Sequence, residues 1–403
     1  MPLFRKIRAA AGENAVFDRF LLSCGARLGN KSCPCAVEAL VSTELPHDTR
    51  VVIIGAGQAG LSVAFHLRRL GLVPGRDVVI LDRGPRSGGA WQFRWESLRL
   101  DTAHKVDDLP GMSELGLSFS TADQSLPARD VVSDYYERYE RHFELEVVRP
   151  VEVTGVTKVP DGRYEVQTSR GAVRAEVVVN ASGTWARPFL PSYPGADAFA
   201  GIQLSTPDYR AAGDLAGLDV IVVGGGTSAV GFLLELEGVA ASTTWVTRRP
   251  VEFTMDEHSK VAAVERADAA ARAGLPIPSV SSGTGLPASP RNVAGRERGV
   301  LVDRPMFSSI EADGVRWSDG SFQHADAIIW ATGFRAELGH LAPLHLRETG
   351  GGVAVAKGSS LRDPHVFLAG FGPQASTIGA NRAGRIVATQ VIDALAATSG
   401  ATA

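Results

Sequence analysis

The chain has 403 residues, 44% of them hydrophobic, and a net charge of −3. That length can form two or more domains with separate cores, and the near-neutral charge argues against nucleic acid as a partner. No apolar run reaches the roughly 18 residues needed to cross a bilayer, so no membrane segment is expected. The N-terminal stretch is a poor signal peptide because Glu13 and Asp18 interrupt its apolar part. We therefore expect a cytoplasmic protein.

All three cysteines, Cys24, Cys33 and Cys35, precede the first predicted strand. An odd and sparse count argues against a disulfide framework. A zinc site would need about four ligands, and no histidine follows before His47, so we expect no metal centre. Residues 1–49 are interpreted as a loosely ordered extension.

The stretch from Val51 to Asp82 carries the strongest signal in the chain. Four β-branched residues predict a strand buried on both faces, GAGQAG follows at 55–60, and a helical pattern leads to a second apolar strand that ends at Asp82. This order is typical of a dinucleotide-binding unit. Its three glycines allow a tight turn, the approach of a pyrophosphate and close packing of the helix on the sheet, and Asp82 can accept the ribose hydroxyls.

The next hundred residues predict a glycine-rich loop, a helix and a β-rich segment. The loop occupies 83–91, and a surface helix is expected over 129–143 because apolar and aromatic residues recur at helical spacing. Alternating residues over 144–179 predict strands, with turns at Pro160-Asp161-Gly162 and Arg170-Gly171. The last of these strands leads into a turn of small residues at 180–185.

A second nucleotide unit begins at Asp219. A buried strand at 220–223 is followed by GGGTSA at 224–229, a short helix over 230–237 and a strand at 243–246. This second strand ends in Arg248 and Arg249, where the first unit has Asp82. A carboxylate would repel a 2′-phosphate, whereas guanidinium groups pair with it. The first site therefore suits the adenosine ribose of FAD, and the second suits NADPH better than NADH.

The C-terminal third continues the same alternation of elements. We expect a helix over 260–274, a mobile loop over 275–294 and a β-hairpin around residues 313–320. A strand then runs into Ala-Thr-Gly-Phe at 331–334, and the final strand enters a glycine turn at 370–374 before a closing helix over 377–395. The predicted fold class is α/β.

Two nucleotide units joined by strand-to-A-[ST]-G turns resemble the two-dinucleotide-binding-domain flavoproteins, over about residues 50–395. Within that group the chain looks most like the class B flavoprotein monooxygenases, in their flavin-containing monooxygenase branch. The loop GGAW at 88–91, SLRLDT at 97–102 and ATGF at 331–334 correspond to family motifs. The family fingerprint F-x-G-x-x-x-H-x-x-x-[FYW] matches at Phe199, Gly201 and Tyr209, but Ser205 stands in place of the histidine.

The resemblance implies two Rossmann-like domains, with the NADPH domain inserted into a discontinuous FAD domain. Residues 50–190 and 331–403 would form the FAD-binding domain and 200–330 the NADPH-binding domain. NADPH would reduce FAD, and a C4a-hydroperoxyflavin formed with O₂ would oxygenate a nitrogen or sulfur centre of a small molecule, while NADP⁺ excludes water. Tyr209, in place of tryptophan, favours heteroatom oxygenation over the Baeyer–Villiger reaction. The resemblance also suggests a homodimer.

The expected site residues follow from the motifs and the resemblance together. Asp101, Ser205 and Tyr209 are the candidates for catalysis. The expected cofactor contacts are Gly55, Gly57, Gln58, Ala59, Gly60, Asp82, Arg83, Gly89, Ala90, Trp91, Thr102, Val153, Gly183, Gly224, Gly226, Thr227, Ser228, Arg248, Arg249, Gly333, Gly370 and Gln374.

Three other functions remain open at this stage, and the weakest of them is a redox-sensing binding module that uses FAD and NADPH as ligands. A reductase of the thioredoxin-reductase-like superfamily shares both nucleotide units, but it normally needs a redox dithiol beside the flavin, and the sequence has no cysteine after Cys35. Such an enzyme could still act on a quinone or a low-molecular-weight disulfide. An NADPH oxidase is the expected outcome if Ser205 prevents retention of NADP⁺.

Overall fold

The computed structural model describes residues 45–254, 257–275, 285–375 and 377–400. The three cysteines and most of the predicted extension therefore lie outside the described residues. The first strand begins at Asp48, so it includes the last two residues of the predicted extension.

Strands and helices alternate along most of the described chain. The helices are α1 (Gln58–Arg69), α2 (Ala128–His142), α3 (Thr227–Leu236), α4 (Glu257–Arg272), α5 (Pro290–Glu297) and α6 (Thr377–Gly400). The strands are β1 (Asp48–Ile54), β2 (Val78–Leu81), β3 (Val153–Lys158), β4 (Tyr164–Thr168), β5 (Gly171–Asn180), β6 (Ile202–Ser205), β7 (Asp219–Val223), β8 (Ser242–Thr247), β9 (Phe253–Thr254), β10 (Leu286–Pro287), β11 (Asp303–Pro305), β12 (Ser309–Glu311), β13 (Gly314–Arg316), β14 (Phe322–His324), β15 (Ala327–Trp330), β16 (Val355–Ala356), β17 (Ser359–Ser360) and β18 (Val366–Leu368).

The first sheet has the order β16-β17-β18-β5-β1-β2, and β3 and β4 extend it as a meander from β5. Strand β1 is parallel to both β2 and β5, so that Ile54 lies opposite Leu81 and Asn180. Side chains alternate across a strand, and here Val51 and Ile53 enter one hydrophobic core while Val52 and Ile54 enter another. Burial of both faces explains the uninterrupted apolar run in the sequence.

The second sheet is parallel, in the order β11-β8-β7-β15-β6. All of its strands come from the chain between residues 202 and 330, whereas the first sheet uses strands before and after this segment. Two crossover segments join the sheets, and they meet where Trp185 stacks on Phe334 with ring centroids 5.2 Å apart. The expected fold, with one Rossmann-like domain inserted into another, is therefore confirmed.

Several local predictions need correction. Residues 144–151 do not form a strand despite their alternation, because Glu144 and Glu146 both adopt a positive φ of 48°. The predicted mobile loop over 275–294 includes residues outside the described part, but it also contains β10 and the start of α5. Ser289 caps α5 by accepting a hydrogen bond from the Asn292 amide, which explains where this helix begins.

The other elements agree with expectation more closely. The predicted hairpin near 313–320 is a three-stranded antiparallel sheet of β12, β13 and β14. The last helix extends to Gly400, five residues beyond the predicted end at 395. In the described part of the chain, no helix has both the length and the apolar character that a membrane crossing requires.

Candidate cofactor and active site

The turn between β1 and α1 requires glycine at two positions for steric reasons. Gly55 has a φ of +105°, and a Cβ there would lie 2.5 Å from the carbonyl oxygen of Ala181. A Cβ on Gly60 would lie only 1.9 Å from the carbonyl oxygen of Gly55. Gly57 differs, since its nearest neighbour would be the Gly89 Cα at 3.9 Å. The protein thus leaves the face of Gly57 open, as the approach of a pyrophosphate requires.

Asp82 organises this turn from the end of β2. Its buried carboxylate accepts hydrogen bonds from the amides of Ala56 and Gly84, each at 2.7 Å. The carboxylate therefore holds the glycine turn and the loop after β2 in place, and its oxygens keep lone pairs for further donors. Its contact with a ribose stays a prediction. The neighbouring Arg83 is exposed.

The loop after β2 packs directly on the glycine turn. A Cβ on Gly89 would lie 2.7 Å from the Gly57 Cα, and Gly89 has a φ of +52°. Gln92 closes the loop, because its buried amide nitrogen donates to the carbonyl oxygens of Arg86 at 2.8 Å and Gly89 at 3.0 Å. Trp91 is buried beside it. Gln92 is a functional position that the sequence motifs did not reveal.

The turn after β18 lies against the first glycine turn and carries a further polar group that fits a ligand. The side-chain oxygen of Gln374 is buried and has no hydrogen-bond partner among the described residues. Gly370 has a φ of +68°, and a Cβ there would lie 2.9 Å from the Cβ of Ala59 on α1, so the turn packs closely on this helix. A buried acceptor without a donor is a feature that a bound FAD would complete. The residues present therefore fit this cofactor.

The remaining expected FAD contacts occupy varied positions. Gln58 donates from its side chain to the carbonyl oxygen of Asp107 at 2.9 Å. Val153 is half-buried at the start of β3, and Gly183 and Gly333 are exposed glycines at the ends of β5 and β15 with φ of +68° and +86°. Ala90 is partly exposed in the loop.

The second nucleotide turn repeats the geometry of the first. Gly224 has a φ of +140°, and a Cβ there would lie 2.2 Å from the carbonyl oxygen of Ala331, as Gly55 approaches Ala181. Gly226 has no neighbour within 4 Å, so its face is open. No side chain caps the N-terminus of α3, where Thr227 and Ser228 stand. The free amides at this end suit a phosphate.

Arg248 and Arg249 follow β8 directly, at the carboxyl edge of the second sheet. Both are exposed, and neither forms an ion pair or a hydrogen bond within the part of the chain that the structure describes. Two adjacent unpaired guanidinium groups at this edge fit the 2′-phosphate of NADPH.

The three residues expected to act in catalysis occupy different environments. Asp101 is exposed near the end of the SLRLDT motif, where Thr102 donates to the carbonyl oxygen of Arg99 at 3.1 Å. Ser205 is buried, and both its amide and its hydroxyl donate to the Asp208 carboxylate. Ser205 therefore forms a local capping box rather than presenting a free hydroxyl. Tyr209 is buried as well.

Glu235 accepts three hydrogen bonds, and two of them join the two domains. Its carboxylate accepts from the Trp95 indole at 2.8 Å, the Ser97 hydroxyl at 2.7 Å and the Tyr209 hydroxyl at 3.2 Å. Trp95 and Ser97 follow the loop at residues 83–91, which we call the flavin loop. Tyr209 and Glu235 belong to the inserted domain. Phe232 packs between the Trp95 and Tyr209 rings, with centroids at 4.9 Å and 4.3 Å. Burial raises the pKa of Tyr209, so it stays a donor to Glu235.

We expect Glu235→Ala to lower the free energy of unfolding by about 2–3 kcal/mol, because three donors lose a charged acceptor and two of them are on buried rings. Glu237→Ala is the matched control, since Glu237 pairs with Arg298 at 2.7 Å on the exposed surface and should cost less than about 1 kcal/mol. Urea denaturation of both variants measures the difference. Equal losses would show that Glu235 does not fasten the domains.

Two further polar clusters involve residues outside the predicted motifs. His340 is buried and bonds the Asn180 side chain at the end of β5, at 2.8 Å, and burial lowers the pKa of His340 so that it stays neutral. Asp219, His324 and Asp326 bring potential metal ligands within 4.8 Å of one another. The His324 ring nitrogen lies 3.3 Å from the Asp326 carboxylate, and Asp219 accepts a hydrogen bond from the Ser242 hydroxyl. Each of the three side chains therefore already has a polar partner.

Comparisons with known proteins agree with this geometry. Residues 52–268 match the family model described as pyridine nucleotide-disulphide oxidoreductase, and they include both glycine turns. A flavin-containing monooxygenase from Stenotrophomonas maltophilia is 34% identical, with a TM-score of 0.71 over 86% of this chain and 99% of that one.

Two curated relatives extend the comparison. A CzcO-like uncharacterized oxidoreductase from Geobacillus kaustophilus (strain HTA426) is 28% identical over 73% of this chain and 82% of its own length. An indole-3-pyruvate monooxygenase from Oryza sativa subsp. japonica is 27% identical over 74% and 79%. The chain therefore belongs to the pyridine nucleotide-disulphide oxidoreductase family and, within it, to the FAD- and NADPH-binding flavin-containing monooxygenases of class B.

Proposed function

We propose that this enzyme uses NADPH and O₂ to oxygenate a nitrogen or sulfur centre of a small molecule. The observation that carries the proposal is the pairing of two glycine turns with different ribose readers in one chain, Asp82 in one and Arg248 with Arg249 in the other. A carboxylate suits an unphosphorylated ribose and arginines suit a 2′-phosphate, so each cofactor has its own site.

FAD, when bound, supplies the hydride acceptance and the oxygen activation of the reaction. The chain supplies binding, orientation and exclusion of water. Trp91 and Trp185 are buried, and Trp185 stacks on Phe334, so aromatic rings cover the place where the crossover segments meet. Exclusion of water from the reacting atoms favours oxygen transfer to substrate over loss as hydrogen peroxide.

The individual roles belong to the same proposal. Asp101, being exposed beside the flavin loop, is proposed to contact NADP⁺ or the oxygen to be transferred. Ser205 and Tyr209 are proposed to position the linker to the NADPH domain, because their hydroxyls bond Asp208 and Glu235 within that region. The proposal also includes the full set of expected cofactor contacts and the domain boundaries that the sequence analysis gives.

The experiment measures the fate of NADPH in air. Purified holoenzyme is supplied with NADPH and a panel of amines and sulfides, and consumed NADPH is compared with oxygenated product and released peroxide. We expect product to account for most of the NADPH consumed with at least one sulfide or amine. Continued turnover with quinones or disulfides under anaerobic conditions, without oxygenation in air, would instead identify a reductase.

An NADPH oxidase is the second candidate, and one observation favours it. Ser205 replaces the fingerprint histidine and is held by Asp208, so it cannot reach towards a bound NADP⁺. Release of all consumed NADPH as peroxide would support this alternative. Ser205→His is the companion variant: a rise in the product fraction would show that the missing histidine limits retention of NADP⁺.

A further inference from the structure

Arg94 lies where the flavin loop meets the crossover segments. Its guanidinium carbon is 4.0 Å from the centroid of the Trp185 ring and 5.4 Å from that of Trp91. Trp185 is itself stacked on Phe334, which begins the return crossover. The cation therefore lies between the loop after β2 and the point where the two crossover segments meet.

The guanidinium group has no anionic partner in the described part of the chain. Its Nε is buried without a hydrogen bond, and no ion pair involves Arg94. Burial lowers its pKa to about 10, so the group stays charged at neutral pH. Cation–π contacts offset part of the desolvation cost, but a buried charge without a counter-ion is unfavourable.

The nearest ionisable neighbour does not supply the missing charge. His104 lies on the Trp91 ring, with centroids 4.8 Å apart. Desolvation by the surrounding protein lowers the pKa of His104 to about 4, and the charge of Arg94 acts in the same direction. His104 is therefore neutral at physiological pH, and Arg94 remains the unbalanced charge of this cluster.

The two cofactors already have sites for their phosphates. The FAD pyrophosphate is assigned to the open face of Gly57 and the N-terminus of α1, and the 2′-phosphate of NADPH to Arg248 and Arg249. Arg94 is therefore left without a cofactor phosphate as its partner. A guanidinium group offers planar N–H donors that can pair with two carboxylate oxygens at once.

We propose that Arg94 binds a carboxylate of the substrate, so that the substrates are small molecules carrying a carboxylate as well as the nitrogen or sulfur to be oxygenated. This inference rests on the proposed function for the oxygenated atom, but not for the carboxylate. Arg94 then acts as a specificity-determining residue, with Trp91 and Trp185 holding its guanidinium in position.

The test compares 4-(methylthio)benzoate with its methyl ester, which has the same thioether but no charge. Binding to the oxidised FAD enzyme is followed by perturbation of the flavin spectrum, and turnover is followed by sulfoxide formation. We expect wild-type enzyme to bind the acid about 10–100-fold more tightly than the ester, as a charge-assisted pair predicts. Arg94→Met should remove this preference, and Arg94→Lys should retain part of it.

Arg304→Met is the matched control. The guanidinium carbon of Arg304 lies 4.0 Å from the centroid of the Trp317 ring, in the inserted domain and away from Arg94. This variant should leave the acid-to-ester ratio unchanged. Thermal melting and flavin content confirm that each variant is folded and loaded.

Three outcomes would overturn the inference. The first is a wild-type enzyme that binds the acid no more tightly than the ester. The others are an Arg94→Met variant that binds both compounds equally less tightly, and an Arg94→Met variant in which only the rate of flavin reduction changes. Binding of the acid that depends on Arg94 without sulfoxide formation by the wild type would sustain the inference while refuting the proposed oxygenation.

Discussion

Gly57→Ala is expected to lower FAD affinity about 100-fold or more while leaving the apoprotein as stable as the wild type. The backbone at Gly57 has a φ of −81°, which alanine adopts without strain, and the added Cβ would meet only the Gly89 Cα at 3.9 Å. The methyl group would instead fill the space that a pyrophosphate needs. The loss should therefore appear in cofactor binding and not in folding.

Gly60→Ala should have the opposite character. Its Cβ would overlap the Gly55 carbonyl oxygen at 1.9 Å, so the helix would have to move away from the strand. We expect a net loss of about 2 kcal/mol in the stability of the apoprotein, because overpacking costs about 3 kcal/mol and the gain in helix propensity offsets about 1 kcal/mol of it.

FAD titration followed by flavin fluorescence, with urea denaturation of the apoprotein, separates the two effects. Gly213→Ala is the control: a Cβ there has no neighbour within 4 Å, and it should change neither quantity. If Gly57→Ala destabilised the apoprotein as much as Gly60→Ala, the open face of Gly57 would have a structural explanation and not a ligand-binding one.

The parts of the fold that the sequence predicted are those with local causes. Both glycine turns follow from a buried strand, a fixed glycine spacing and a helical pattern, and the structure confirms that Gly55 and Gly224 each contact the carbonyl oxygen of an alanine on a crossover segment. The alternation at 144–151 failed as a predictor because a positive φ at Glu144 and Glu146 ends the extended conformation. That choice depends on tertiary packing and has no residue-type signature here.

The parts of the site that escaped prediction are those assembled from distant segments. Glu235 receives its hydrogen bonds from residues 26, 138 and 140 positions away along the chain. Arg94 lies against Trp185, which is about ninety positions further along the chain on a crossover segment. Neither residue belongs to a spaced motif, so a pattern search could not separate either of them from ordinary surface charges.

Replacing both Arg248 and Arg249 by serine is expected to reduce the preference for NADPH over NADH by at least about 100-fold. Each guanidinium group is unpaired among the described residues and can form charge-assisted hydrogen bonds with the 2′-phosphate, worth about 1.5–3 kcal/mol per group. The KM for NADPH should rise while that for NADH stays nearly constant, because NADH has only a hydroxyl at this position.

Steady-state rates of flavin reduction with each nicotinamide cofactor measure the ratio. The control is a double variant, Arg298→Ser with Arg316→Ser, which removes the same charge from exposed ion pairs with Glu237 and Glu311 in the same domain. If this control shifted the ratio equally, the preference would reflect the overall charge of the domain. If neither variant changed it, the arginines after β8 would not be the readers of the phosphate, and the assignment of the second site to NADPH would rest on the glycine turn alone.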